Sequence, residues 1–196
     1  MSYTVISTPA IIIATYDYRE AERQYLFFTK QLGLIWAQAM GVRLLKSKLR
    51  FALQTGSHTI ISVVRGKRGW RITNAVAIRN HLSLLSSNLQ AKEVFFESMQ
   101  YIRRLTPLEE PNEFFKCYIG ACELLSSETD NVLPRSWLQL VLARLLFVLG
   151  YLETQKTQCE ELITSHDFDE RMFALLERDK KELTRAINQA LEHSHL

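Results

Sequence analysis

Residues 33–54 read GLIWAQAMGVRLLKSKLRFALQ, and the fold follows from how this stretch is parsed. It opens as an alternating apolar run, turns at Gly41, and then sets Arg43, Lys46, Lys48 and Arg50 within eight residues. No acid falls between Gly33 and Gln54. A short strand handing over to a dense cationic arm suggests a small barrel that presents an edge to a polyanion.

Working outward, Leu34 to Met40 reads as a strand with Ile35, Ala37 and Ala39 on one face and Leu34, Trp36, Gln38 and Met40 on the other. Before it, Val5 to Tyr16 is rich in Ile, Val, Thr and Tyr, with Pro9 fitting an edge or first position. Asp17 to Gln24 is polar and turn-like, and Tyr25 to Thr29 gives a second short strand. After the arm comes a helical turn over Leu49 to Gln54, a β-branched strand from Thr59 to Val64, hairpin glycines at Gly66 and Gly69, and a fifth strand from Trp70 to Ile78. Five short strands with a helical turn between the third and fourth is the layout of an OB-fold barrel.

From His81 the apolar period changes from two to about 3.6. Phe95, Met99, Ile102 and Leu105 stripe a helix from about Asn88 to Arg104, which Pro107 ends. Asn112 can cap a second helix from Glu113 to about Leu125, and Pro134 can begin a third that runs to about Tyr151. That third helix is apolar nearly all round and should be the buried centre. A fourth begins near Asp169, with Phe173, Leu176, Leu183 and Ile187 on one face and Glu177 paired with Lys181 on the other. The expected class is α+β: a five-stranded OB-fold barrel over residues 1–80, then an α-helical domain over residues 81–196.

Charge divides at the same place. Residues 1–81 hold 12 Lys and Arg against three acids, Asp17, Glu20 and Glu22, whereas residues 82–196 hold 12 against 18. The net +3 therefore hides a basic half and an acidic half, the signature of a nucleic-acid or acidic-partner module joined to a domain with another task. The first 30 residues lack a basic start followed by a long apolar run, so a signal peptide is not expected. Trp137 to Leu152 is interrupted by Arg144 and too short for a comfortable membrane span. Three cysteines, Cys117, Cys122 and Cys159, fit reduced thiols in a cytoplasmic protein.

Two cationic groups are the candidate contacts: Arg43, Lys46, Lys48 and Arg50 in the arm, and Arg65, Lys67, Arg68 and Arg71 around the last hairpin. Loops on such a barrel can converge on one groove where cations track phosphates, which position a strand without reading its sequence. Trp36 is a candidate base-stacking platform, while Trp70 is expected to cover the barrel core. No metal site is expected, because the cysteines lack short paired spacings. Gly66-Lys67-Arg68-Gly69 lacks the spacing of a phosphate-binding loop, and three acids at one turn are poor provision for a nuclease. No catalytic residue and no cofactor are expected. The acidic helical half suits partner binding instead, with Arg103, Arg104 and Lys116 as candidate charge partners for a peptide.

The chain resembles the RecO family of bacterial recombination mediators. The match runs through Ala10-Ile11-Ile12-Ile13, Tyr18-Arg19-Glu20-Ala21-Glu22-Arg23, Leu26-Phe27-Phe28-Thr29-Lys30 to Gly33, Gly41-Val42-Arg43, Lys46-Ser47-Lys48-Leu49-Arg50 and Leu53-Gln54, and reaches Leu149-Gly150-Tyr151. Arg19 stands where the family usually has glycine and Met40 where it usually has lysine. Cys159 stands alone where many relatives carry a four-cysteine zinc site, and the chain ends earlier than usual. The resemblance implies a non-catalytic mediator at the nucleoid. Such a protein binds single- and double-stranded DNA, anneals complementary strands, and works with RecR and single-strand-binding protein to help load RecA. The alternatives are an OB-fold RNA-binding protein and an adaptor whose basic arm meets an acidic protein.

Overall fold

The computed structural model describes residues 4–111, 113–127, 133–153, 159–165, 168 and 170–193. Five strands come first: β1 (Val5–Arg19), β2 (Glu22–Thr29), β3 (Gly33–Ala39), β4 (Ser57–Gly66) and β5 (Gly69–Asn80), with the short helix α1 (Leu49–Ala52) between β3 and β4. They close into a barrel in the order β1-β2-β3-β5-β4. Closure is completed where β3 meets β5 in parallel, through Ala37 opposite Trp70 and Gln38 opposite Arg71. The period-two pattern explains the interior: Ala10 and Ile12, Tyr25 and Phe27, Ile35, Ala37 and Ala39, Ile61 and Val63, and Ile72 form one buried cluster. This is the OB-fold barrel expected from the strand layout, followed by helices.

Asp17 to Gln24 is not the polar turn expected. Asp17–Arg19 continues β1 and Glu22–Gln24 begins β2, with Asp17 opposite Arg23 and Arg19 opposite Glu22. Only Glu20 and Ala21 turn. Past the barrel body this hairpin is solvated, so it needs no apolar alternation and leaves no strand signal in the sequence. Its ladder is reinforced by Arg23, which donates to Asp17 at 2.7 Å.

The helical part comprises α2 (His81–Leu84), α3 (Leu89–Leu105), α4 (Phe114–Leu125), α5 (Pro134–Val148), α6 (Glu160–Thr164) and α7 (Glu170–His193). Asn88 caps α3, its side chain accepting from the Ala91 amide at 2.9 Å. The expected cap at Asn112 and the expected helix start at Asp169 lie outside the described residues. α2 and α6 are single turns, too short to carry a periodic signal. Helix α5 ends at Val148 rather than near Tyr151. The Gly150 amide donates to the Phe147 carbonyl and the Tyr151 amide to that of Leu146, both at 2.9 Å, with Gly150 at φ +77°. That is a Schellman termination, and it gives Leu149-Gly150-Tyr151 a physical meaning: the glycine takes the left-handed position that stops the helix.

As expected, α5 is buried nearly all round, with Trp137 donating to the Ala121 carbonyl at 2.8 Å. Arg144 is buried too; its Nε donates to the Leu162 carbonyl at 2.9 Å and its guanidinium lies 4.2 Å from the Phe168 ring centroid. Phe173, Leu176, Leu183 and Ile187 are the buried face of α7. Glu177 does not pair with Lys181. It takes Lys180 at 3.1 Å and accepts from the Ser136 hydroxyl at 2.8 Å, because α5 draws the carboxylate to its own side. All three cysteines are buried thiols outside any disulfide, and burial pushes those of Cys122 and Cys159 up, away from thiolate. Among the described residues no helix is long and apolar enough to cross a membrane, and no group of three His, Cys, Asp or Glu could hold a metal.

The chain falls into two compact units. One is the described residues up to Leu84 together with Pro107–Pro111; the other is Leu85–Thr106 with the described residues beyond Pro111.

At the end of β5, His81 is fully buried and stacks on His58 with ring centroids 6.4 Å apart. Burial, then the neighbouring His58 and Arg79, lowers its pKa from 6.5 to about 4. A histidine so depressed leaves the folded state short of a proton that the unfolded chain takes up below pH 6.5. Stability is therefore full above that pH and lost as pH falls toward 4. The expected loss is about 2 kcal/mol by pH 5. Urea melts from pH 7.5 to 5 will read it, and His81→Gln will flatten the profile.

Candidate nucleic-acid interface

Three parts of the barrel unit meet at one end of β3. The β1–β2 hairpin brings Tyr18 and Arg19, the end of β3 brings Gln38 and Met40, and the β4–β5 hairpin brings Lys67, Arg68 and Arg71. They line a groove of about 430 Å³. The β4–β5 hairpin is tight because Gly66 faces Gly69 across the ladder and Gly69 adopts φ +106°, which throws Lys67 and Arg68 to its tip. Beside the groove a smaller hollow of about 160 Å³ is lined by Trp36, Trp70, Gln24, Gln38 and Arg68, with Leu108 and Glu109.

The nine residues expected as contacts are placed unequally. Lys67, Arg68 and Arg71 are exposed on the groove, and none has an ion-pair partner among the described residues. Trp36 is half-buried, with the Tyr16 ring centroid 5.6 Å away, so one part of its face is already covered. Trp70 packs against the barrel core, and its indole N–H donates to Glu109 at 3.1 Å. Arg65 is engaged: it forms an ion pair with Glu109 and lies 5.0 Å from the Trp70 ring centroid. The hydrogen bond from Arg65 holds the Glu109 carboxyl below its usual range.

The arm runs from Gly41 into α1, outside the groove but rooted at its rim. Arg43 donates to the Arg19 carbonyl at 3.3 Å and approaches Asp17 at 3.7 Å, tying the arm to the β1–β2 hairpin. Asp17 is thus shared by Arg23 and Arg43; the Arg23 hydrogen bond is the main cause of its lowered pKa. Lys46, Lys48 and Arg50 stand exposed with no ion-pair partner among the described residues. Glu22 also lines the groove, but from there to Glu93 the sequence holds no acid, so six cations with no ion-pair partner among the described residues share the arm and the groove.

Tyr16, Tyr18, Arg19 and Met40 were not among the expected contacts. The two tyrosines alternate along the outer end of β1, a spacing visible once the strand is known to extend past Tyr16. Glu109 gave no signal, since nothing local ties it to Arg65.

The family described as "Recombination protein O N terminal" matches residues 1–81. A protein named "DNA repair protein RecO" from Dehalococcoides mccartyi is 30% identical over 145 residues, 74% of this chain and 56% of its own. Residues 1–81 carry the N-terminal domain of the RecO family. A protein of the same name from Prosthecochloris aestuarii is 25% identical over 161 residues, 79% of this chain and 58% of its own. One from Clostridium novyi is 32% identical over 83 residues, 42% of this chain and 32% of its own. The chain spans little more than half the length of the longest-matching of these relatives. The family match covers the barrel and the cationic arm together.

Proposed function

We propose that this protein is a DNA repair and recombination mediator that works by binding energy rather than covalent chemistry. It binds single- and double-stranded DNA, pairs complementary strands, and with RecR and single-strand-binding protein assists the loading of RecA. The barrel, residues 1–80, is the nucleic-acid-binding domain; the helical domain, residues 81–196, holds protein partners.

The observation that carries this reading is the group of exposed cations with no ion-pair partner among the described residues: Lys67, Arg68 and Arg71 on the groove, and Lys46, Lys48 and Arg50 on the arm. Cations spread over two nearby surfaces neutralise phosphates on two strands, which lowers their mutual repulsion and raises the encounter rate for pairing. Contact with about six to eight phosphates makes affinity fall roughly 10³-fold between low and moderate salt.

The test is an annealing assay on complementary oligonucleotides across a salt series, with and without single-strand-binding protein, alongside binding to DNA and RNA of equal length. Annealing should be accelerated at low salt and suppressed as salt rises. No acceleration, or a clear preference for RNA, overturns the proposal.

A further inference from the structure

The arm carries apolar side chains that phosphate contacts do not use. Val42, Ala52 and Leu53 belong to the buried barrel core and Leu49 packs against it, so both ends of the arm are anchored. Between these anchors Leu44, Leu45 and Phe51 stand 56%, 91% and 76% exposed. A single exposed leucine is ordinary. Three large apolar residues within the span of Leu44 to Phe51, interleaved with Lys46, Lys48 and Arg50, are not scattered singly. Backbone bonds fix how they are presented: Leu44 to Gly41 at 3.1 Å, Ser47 to Leu44 at 2.9 Å, Leu53 to Leu49 at 3.0 Å, and Arg43 to the hairpin carbonyl of Ala21 at 3.3 Å.

We propose that Leu45 and Phe51 receive unstacked bases of a single strand whose phosphates lie on Lys46, Lys48 and Arg50. This rests on the DNA-binding reading above and adds what the arm does with the bases. Two observations select this ligand. The arm's charge is uniformly positive, complementary to a polyanion, and the arm is continuous with the candidate groove through Met40 and the contact of Arg43 with Arg19. A single strand offers an apolar ring and an anion at every nucleotide, which matches the alternation Leu45-Lys46 and Arg50-Phe51 along the chain. A duplex hides its base faces in the stack and cannot use Leu45 or Phe51, so the arm gives preference to single strands over duplex.

The test uses the full chain and a Leu45→Ala, Phe51→Ala variant, each titrated with a single-stranded oligonucleotide, an abasic oligonucleotide of the same length, and a duplex. Expected is about tenfold weaker binding of the single strand, with an unchanged salt slope and unchanged binding of the abasic strand and the duplex. As a second readout, a Phe51→Trp variant should be quenched by the single strand and not by the abasic one. Equal loss on all three ligands, no loss on the single strand, or loss confined to anionic phosphatidylglycerol vesicles overturns the inference. Failure of the wild-type chain to bind any of the oligonucleotides would instead sink the DNA-binding reading beneath it.

Discussion

Lys46→Glu combined with Arg50→Glu will weaken single-stranded DNA binding on the order of 100-fold at 0.1 M salt. Both side chains are exposed and neither has an ion-pair partner among the described residues, so no structural bond is broken. Each reversal removes a cation and adds a repulsive anion, in an arm that contains no acid of its own. The slope of log affinity against log salt should shrink by about 0.7 for each phosphate no longer neutralised. Fluorescence anisotropy over a salt series reads both quantities. Stability should move by no more than about 0.5 kcal/mol, as for ordinary surface substitutions, which separates weakened binding from impaired folding. If affinity and slope both stay at wild-type values, the arm does not touch phosphate and the adaptor alternative gains. The same variant should anneal complementary strands slowly at salt where the wild type is fast.

Gly33→Ala will destabilise the barrel on the order of 4 kcal/mol. Gly33 sits at φ +64°, a left-handed position that costs an alanine about 1 to 2 kcal/mol by itself. The larger part comes from packing: a Cβ there would fall 2.1 Å from the Glu110 carbonyl oxygen, backbone that cannot step aside like a side chain. The neighbouring bonds are made by the same segment. Leu34 bridges Leu108, and the Glu109 amide donates to the Leu34 carbonyl at 2.9 Å. Displacing Pro107–Pro111 also withdraws Glu109 from Arg65 and Trp70. Gly69→Ala is the control: Gly69 too has positive φ, but nothing lies within 4 Å of a Cβ built there. Urea denaturation should give Gly69→Ala only the conformational cost. Equal costs for the two variants would mean that the 107–111 segment does not pack on Gly33.

The five strands were legible because burying one face of a strand forces alternation, as in Ile35, Ala37 and Ala39, and because Gly66 and Gly69 mark their own hairpin. The candidate cations were legible as types and as two groups. What could not be read was which cations are already engaged. Arg65 and Arg43 look like Lys67 and Lys46 in the sequence, yet one is held by Glu109 and the other shares Asp17. Asp17 to Gln24 misled for a related reason: a hairpin solvated beyond the barrel keeps its backbone ladder without any apolar pattern. The Glu177 partner was misplaced by one residue because a contact from α5 outweighed the preference for a spacing of four.

By itself the sequence determined the barrel, the helical character of the rest, and the separation of positive from negative charge along the chain, since each follows from local spacing. Only the tertiary structure decided that Pro107–Pro111 packs with the barrel, that Glu109 takes one arginine out of use, and that two hairpins and the end of β3 share one groove. These are meetings between residues far apart in the chain, and side-chain chemistry alone does not say which distant partner a charge will find.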